Sequence, residues 1–556
     1  MKHNNFYVRP YVKNWNNPES DSLHLEYSYD KETWYSLNGN NGILFAKGGL
    51  GRMTEPQIVK EGEDKFKVYA KDALDSSKTY VYETSDLINY SDEKVEETAK
   101  IKDYTKPNDI VEISKELLDK LNNVFGKPEP VVIESVENVT VEVKAGEPAE
   151  LPKKVMVTYS NGMKEQKSAS WEAVDTATAG TKTVKGTVSE RFYLNPLIYH
   201  RADPCIYKHT DGTYYFVASY TDDEHNLVGE YQYRYILLRK ASSLEDLADN
   251  SGRYEERCVF TKAPVAGNNS PHIWAPEFHF INGDFYIYFT TCIDDNDCWS
   301  IRPHVMRCQG DPMKDEWEVI GRVQTTTTDS IAFTEFSLDH TVLQHKGELY
   351  FFWAEKHPKV VGANVGGDYD ENAVQVNSDI YVAKMVNPWT IDSSRICKVV
   401  EPEYNWELHG FPVCEGPAVL VRNGKVFMAY SASGTDALYC MGMCTADADA
   451  DLLEPKSWTK SPYPVFQSSR ETGQYGPGHN SFTYDDEGND IIVYHARQEE
   501  RYLVDPGYQP LYDAGRNACL SRVYWNPDGT PNFSVPFPSG EPKEVKTEFT
   551  ATVVVK

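Results

Sequence analysis

The sequence predicts an all-β protein, a five-bladed β-propeller preceded by small β-sandwich-type domains. Three observations carry this. A turn glycine followed by an alternating aromatic and β-branched run recurs five times between about 195 and 535. The recurrence has a step that suits one four-stranded antiparallel sheet with its loops. Aromatic residues make up 13% of the chain, including 37 Tyr, which suits β-rich cores.

The five copies are DGTYYFVASY (211–220), NGDFYIYFTT (282–291), KGELYFFWAE (346–355), NGKVFMAYSA (423–432) and EGNDIIVYHA (487–496). Their glycines, Gly212, Gly283, Gly347, Gly424 and Gly488, stand 71, 64, 77 and 64 residues apart. Turn glycine followed by period-two alternation is a hairpin signal. Just upstream of each glycine lies a polar residue: Asp203 in RADPCIY, Glu277 in WAPEFHF, Asp339 in SLDHTVL, Glu415 in CEGPAVL and His479 in GPGHNSF. Each sits at the start of a strand entering a hairpin. Equivalent strands of a propeller surround one axis, so these positions are expected to converge on one mouth.

The chain of 556 residues is too long for one ordinary domain, and four units are expected. Residues 1–93 read as a noncatalytic β-domain, with strand hairpins in LHLEYSYDKETWYSLNG, MTEPQIVKEGEDKFKVYA and YVYETSDLINYSD. Residues 94–131 read as a connector, because Ile and Leu recur at helix spacing in DIVEISKELLDKLNNVFG. Residues 132–192 carry short strands and an SNG turn, the pattern of a small β-sandwich. Residues 193–556 hold the propeller.

Composition narrows the partners. The 56 basic and 84 acidic residues give a net charge of −28, the wrong sign for tracking phosphates or anionic lipid. Neither nucleic acid nor membrane is expected, and a neutral ligand is. The ten cysteines have no paired CxxC spacing, which argues against a zinc site or a compact disulfide framework. The first residues lack an apolar signal region, and no stretch of about 18 apolar residues occurs. A cytoplasmic protein is expected, with secretion as the alternative.

Breaking a glycosidic bond requires a proton for the departing oxygen and a nucleophile for the anomeric carbon, and two carboxyl groups supply both. A third carboxylate nearby can raise the acid's pKa and keep it protonated near neutrality. Asp203, Asp339 and Glu415 are one set able to do this.

Across residues 195–535 the motifs RADPCIY, HIWAPEFHF, SLDHTVLQHKG, EGPAVLVRNG and GPGHNSF, taken together, resemble glycoside hydrolase family 43. The resemblance implies an inverting hydrolase with Asp203 as general base, Glu415 as general acid, and Asp339 tuning the acid and orienting the sugar. It implies an axial role for His479, beside a bound calcium or a water cluster, and no organic cofactor. His272 and Trp274 match the sugar pocket, Trp274 as its aromatic wall, and Arg516 in GRNACLSRVYW matches a substrate contact. Glu277 reads as a structural carboxylate. Residues 132–192 resemble bacterial immunoglobulin-like modules, and 1–93 resemble an opening blade in which Glu55-Pro56 replaces Asp-Pro.

The extended motifs FSLDHT, CEGPAVL, SASGTDALYCMGM and QYGPGHNSF resemble α-L-arabinofuranosidases. The expected substrate is therefore an arabinose- or xylose-containing oligosaccharide, with release of terminal L-arabinofuranosyl residues from arabinan or arabinoxylan chains. A β-D-xylosidase, or a dual enzyme, is the alternative within the family. Outside it stand a noncatalytic carbohydrate-binding propeller and a structural surface protein. Insertions at 221–234 and 357–378 are expected to wall the mouth into an exo-acting pocket.

Overall fold

The computed structural model describes residues 5–13, 22–38, 41–46, 52–126, 130–220, 233–265, 270–328, 330–360, 363–365, 368–370, 374–503, 505–540 and 543–556. Of the two insertions expected to wall the mouth, 221–232 lies outside the described residues, as do 361–362, 366–367 and 371–373. Among the described residues the chain is all-β apart from one α-helix and short 3-10 turns.

Each of the five sequence repeats forms an antiparallel sheet whose strands follow one another in chain order. The innermost strands are Arg201–Lys208, Trp274–Ile281, Ser337–His345, Cys414–Arg422 and Tyr475–Tyr484. The first, second and fourth sheets have four strands. The third gains Gln324–Thr325 as a parallel outer strand.

The fifth sheet has three strands rather than the four expected. Its open edge, Asn517–Arg522, is met by residues 195–198, from the segment that leads into the first sheet. Leu197 N donates to Ala518 O, and Ala518 N donates to Ile198 O. Pro196 has no N–H to give, which keeps this contact a bridge rather than a ladder.

Apolar faces join successive sheets. Val217 and Leu238 pack with Phe278 and Ile287, and Tyr288 and Val305 with Phe351 and Trp353. Phe352 and Val382 pack with Met428 and Tyr430, and Ala429 and Met441 with Ile492 and Tyr494. Ile206 and Phe216 of the first sheet then meet Ile491 and Val493 of the fifth.

Every innermost strand breaks register near its start. At or beside the break the backbone turns left-handed, at Asp203 (φ 53), Ala275 (φ 45), Asp339 (φ 44), Gly416 (φ 57) and, in the fifth strand, both Gly476 (φ 58) and His479 (φ 40). A bulge of this kind re-aims a side chain out of the strand's alternation. Left-handed backbone costs a residue with a Cβ about 1–2 kcal/mol, so surrounding contacts must hold it. They do so at three places. Ser219, Ser431 and His495, each on a second strand, accept the backbone N–H of Ala275, His479 and Asp203 in the following sheet, the fifth being followed by the first.

The N-terminal residues form two sheets over one core. One orders Tyr35–Ser36, His24–Ser28, Phe6–Tyr11 and Val111–Ile113, and the other Met53–Gly62, Lys65–Asp72, Lys78–Thr84 and Lys94–Glu97. The stretch read as a connector therefore contributes two strands to these sheets. It also holds the helix Lys115–Phe125, capped by Ser114, whose side chain accepts from Leu117 N, with Leu117, Leu118, Leu121 and Phe125 buried on one face. Glu55 repeats the bulge, with φ 48 at a register break, but its carboxylate lies exposed against Lys71.

The immunoglobulin-like stretch differs from the expected boundary. Lys543–Val555, which follows the fifth sheet in sequence, pairs antiparallel with Gly180–Phe192 along all 13 residues, while lying parallel to Val139–Val143. Glu190, nearly fully buried, ties this module to the fifth sheet. It accepts from Tyr159 (2.7 Å), Lys167 (2.7 Å) and Arg522 (2.9 Å). Burial alone would raise its carboxyl, but Arg522 and Lys167 outweigh that and lower it. Glu190→Ala leaves two partly buried cations, Arg522 and Lys167, with Glu165 as their remaining counter-charge and should cost about 2 kcal/mol. Calorimetric melting checks this, and an unchanged profile would contradict it.

Candidate active site

The expected carboxylates meet where the innermost strands begin. Asp203 Oδ1 lies 3.4 Å from His479 Nδ1, and Asp339 Oδ2 lies 3.5 Å from the same nitrogen. Asp339 also accepts the N–H of Gly416, next in sequence to Glu415. Asp339 thus touches His479 on the Asp203 side and Gly416 on the Glu415 side. Glycine suits this position, because at φ 57 a Cβ would be strained and would stand 3.2 Å from the His479 ring.

Asp203 is fixed on every side. Ser219 donates to its Oδ2 (2.6 Å), Arg516 Nη1 lies 3.4 Å from Oδ1, and its backbone N–H goes to His495 Nδ1 (3.2 Å). Burial would raise its carboxyl, but His479 and Arg516 outweigh that and hold it well below the usual carboxylate range. Asp203 is therefore ionised at any ordinary pH.

Glu415 and Asp339 behave oppositely. Burial raises Glu415 to about 7, with Asp203 adding to the rise and Tyr439, which donates to Oε1 (2.9 Å), opposing it. Asp339 is raised by burial and then by the charges of Glu415 and Asp203. The two titrate as a coupled pair that retains a proton toward neutrality. One carboxylate held ionised beside a pair that retains a proton is an arrangement able to supply the base and acid that glycosidic cleavage requires.

His272 is buried, and burial pushes it down to about 4. Its Nδ1 donates to Cys298 O (2.8 Å), so as a neutral ring its Nε2 accepts from Tyr512 (3.2 Å). Trp274 stands edge-on to Tyr233 and tilted against His272. Arg516 donates to Tyr233 (2.7 Å) and Leu511 O, so it braces Asp203 and Tyr233. Glu277 accepts from His279 (2.8 Å).

Sequence reasoning missed Ser219, Tyr233, Tyr439 and His495. Ser219 and His495 stand inside quoted repeats, and their signal was a polar residue near the end of an apolar second strand. Tyr439 lies in a quoted motif, but no spacing links it to Glu415.

Beside His479, where calcium is expected, the carboxylates of Asp203 and Asp339 are the oxygen donors. No group of three or more His, Cys, Asp or Glu side chains able to hold a metal occurs among the described residues. A hard cation takes 6–8 oxygen ligands, so water would have to supply most of them here. All ten cysteines are unpaired.

Residues 193–531 match the model of Glycosyl hydrolases family 43, more than half of the chain, and the chain belongs to that family. Residues 136–190 match the Bacterial Ig-like domain (group 4). The chain is 42% identical over 350 residues to an extracellular exo-α-(1→5)-L-arabinofuranosidase of Streptomyces avermitilis, covering 63% of this chain and 64% of that one. It is 39% identical over 350 residues to α-L-arabinofuranosidase 43 of Humicola insolens, with the same coverage. The chain thus spans just under two thirds of the length of these relatives. Among solved structures it resembles an α-L-arabinofuranosidase from Lactobacillus brevis, at 42% identity and TM-score 0.52, over 63% of this chain and 98% of that one.

Proposed function

We propose that this protein is an exo-acting, inverting α-L-arabinofuranosidase whose catalytic unit is a five-bladed β-propeller. The blade count is supported by five successive sheets whose cores link each to the next and the fifth to the first. The substrate is supported by the names of the relatives. The single observation that carries the mechanism is the opposite tuning of Asp203 and the Glu415–Asp339 pair.

In the proposed step Glu415 gives its proton to the glycosidic oxygen as the bond to the anomeric carbon breaks. Asp203 takes a proton from a water attacking the opposite face, so free arabinose leaves with inverted configuration. Asp339 shares the retained proton with Glu415, Asp203 supplies the charge that helps keep Glu415 protonated, and His479 orients Asp339 and Asp203 together. Trp274, His272 and Arg516 shape the sugar pocket. The unit boundaries we favour place 543–555 with the immunoglobulin-like module. The naming of the Streptomyces relative as extracellular supports the secreted reading, and no described helix is long and apolar enough to cross a membrane.

The test is hydrolysis of nitrophenyl α-L-arabinofuranoside against nitrophenyl β-D-xyloside, with NMR of the first anomer released. β-Arabinofuranose appearing first is expected. Retention, or faster cleavage of the xyloside, would overturn the reading.

The pH profile follows from the same tuning. The base is ionised throughout, whereas the acid must be protonated, so kcat/KM should hold through mild acid and fall as pH rises through about 7. A profile that instead rises through neutrality would reverse the roles. No step passes through calcium, and a change in activity or melting temperature after exhaustive chelation would reinstate it.

A further inference from the structure

Lys356 is a partly buried cation at the mouth that pairs with no carboxylate among the described residues. It lies in the third sheet's second strand, Glu348–Val360, which runs from the hairpin at Gly347 back toward the mouth. There Glu355 pairs with Ser337, the first residue of the inner strand, and Lys356 N donates to Phe336 O (2.9 Å). Side chains alternate along a strand. Phe351 and Trp353 pack with Tyr288 of the second sheet, whereas Phe352 and Ala354 pack with Cys414 and Tyr430 of the fourth. Lys356 continues the second set, so it faces the start of the strand that carries Glu415. The next strand closes the same side. Ser378, opposite Lys356, donates its N–H to Pro412 O (3.0 Å) and bridges Val413, two residues before Glu415. The ammonium stands over the Phe336 ring, 4.1 Å from its centre, and Phe336 packs on the cluster that holds Trp274 and Cys414.

The other charges here are already committed. Around Glu415 stand Tyr439, which donates to it, the carboxylates of Asp203 and Asp339, and the cations Lys356 and Arg516, with His479 beside Gly416. Arg516 is held by Asp203 and Tyr233. Glu355, next to Lys356, points the other way and accepts the N–H groups of Phe333, Thr334 and Glu335. Asp379 meets Lys398 (3.4 Å). Glu415 is therefore the charge left to Lys356: burial lowers the ammonium's pKa, and Glu415 opposes that fall.

When Glu415 gives up its proton, the O–H bond breaks and its electron pair stays on the carboxylate, in a buried site that already holds the Asp203 charge. Such a charge is costly to bury without a counter-charge. We propose that Lys356 is a positioning residue for the hydrolysis, whose ammonium stabilises the Glu415 carboxylate formed as the proton passes to the departing oxygen. The inference rests on the proposed function, with Glu415 as the acid. It gives Lys356 an effect that grows with the leaving group's need for a proton, and it makes Lys356 the counterweight to the burial and the Asp203 charge that weaken the acid.

The experiment compares Lys356→Met and Lys356→Arg with the unaltered chain on arabinobiose and on nitrophenyl arabinofuranoside across pH. Lys356→Met should lose about three- to ten-fold in kcat/KM on arabinobiose, carried by kcat, and less than about two-fold on the aryl glycoside, because a weaker acid matters only where the oxygen needs its proton. The alkaline fall of its pH profile should move up by about one pH unit, since Glu415 loses a charge that favours its ionised form. Lys356→Arg, which keeps the charge, should stay near the unaltered values. Equal losses on both substrates, an unmoved alkaline fall, a loss confined to KM, or an equal loss in Lys356→Arg would overturn the proposal. Should the unaltered chain cleave neither substrate, the proposed activity fails alone. Infrared titration of the Glu415 carboxyl, read as the difference from Glu415→Gln, then decides for Lys356. An upward shift in Lys356→Met supports the proposal, and an unmoved titration overturns it.

Discussion

Glu415→Ala is expected to lose about 10²–10⁴-fold in kcat/KM on an arabino-oligosaccharide and far less on nitrophenyl arabinofuranoside. A sugar alkoxide cannot depart without a proton, whereas a nitrophenolate, whose conjugate acid has a pKa of about 7, departs nearly unaided. Glu415 is built to hold that proton, since burial and Asp203 lift its carboxyl to about 7. The variant should also lose the alkaline fall of its pH profile, because the group that titrated there is gone. Parallel initial rates on the two substrates check this. Equal losses on both would mean that Glu415 is not the acid.

Asp203→Ala should fail differently, losing about 10³-fold or more on both substrates, because every substrate needs the water activated. The structure adds a second reason for a large effect. Asp203 is the partner of Ser219 and Arg516, so its removal leaves a buried guanidinium facing Tyr233 and Leu511 O without its counter-charge. Asp203→Asn separates the two effects by keeping the shape while removing the base. If Asp203→Asn restores aryl-glycoside turnover to near the unaltered rate, the base lies elsewhere.

Much of the site was legible because a propeller-like repeat announces itself locally. The turn glycines marked five hairpins, and the residues before them, from Asp203 to His479, stand at the register breaks of the five innermost strands. What stayed hidden depends on partners distant in sequence. Ser219 and Ser431 read as ordinary small residues within apolar second strands, and nothing beside them says that each receives an N–H from the next sheet. His495 is equally silent. Its Nδ1 stands 3.2 Å from Asp203 N and 3.3 Å from Asp203 Oδ1, a double contact that only the fold reveals. The N-terminal strands were read as hairpins, but the contribution of 94–97 and 111–113 to them was masked by charge, since KVEE looks like a solvated linker.

The pairing of Lys543–Val555 with Gly180–Phe192 sets an order of assembly. During synthesis the strands from 133 to 192 emerge long before their neighbour, and the apolar stripe of Val184 and Val188 has no complete sheet to join until residues 543–555 have been made. Contacts so distant along a chain form slowly, because a long loop must close before they reward it. The five sheets of the repeats, most of whose neighbours are consecutive, can form in the interval. The module is then the latch set last, and a protease that clips the stretch before 543 in an unfinished or loosened molecule would free the module's edge while leaving Asp203, Asp339 and Glu415 in place.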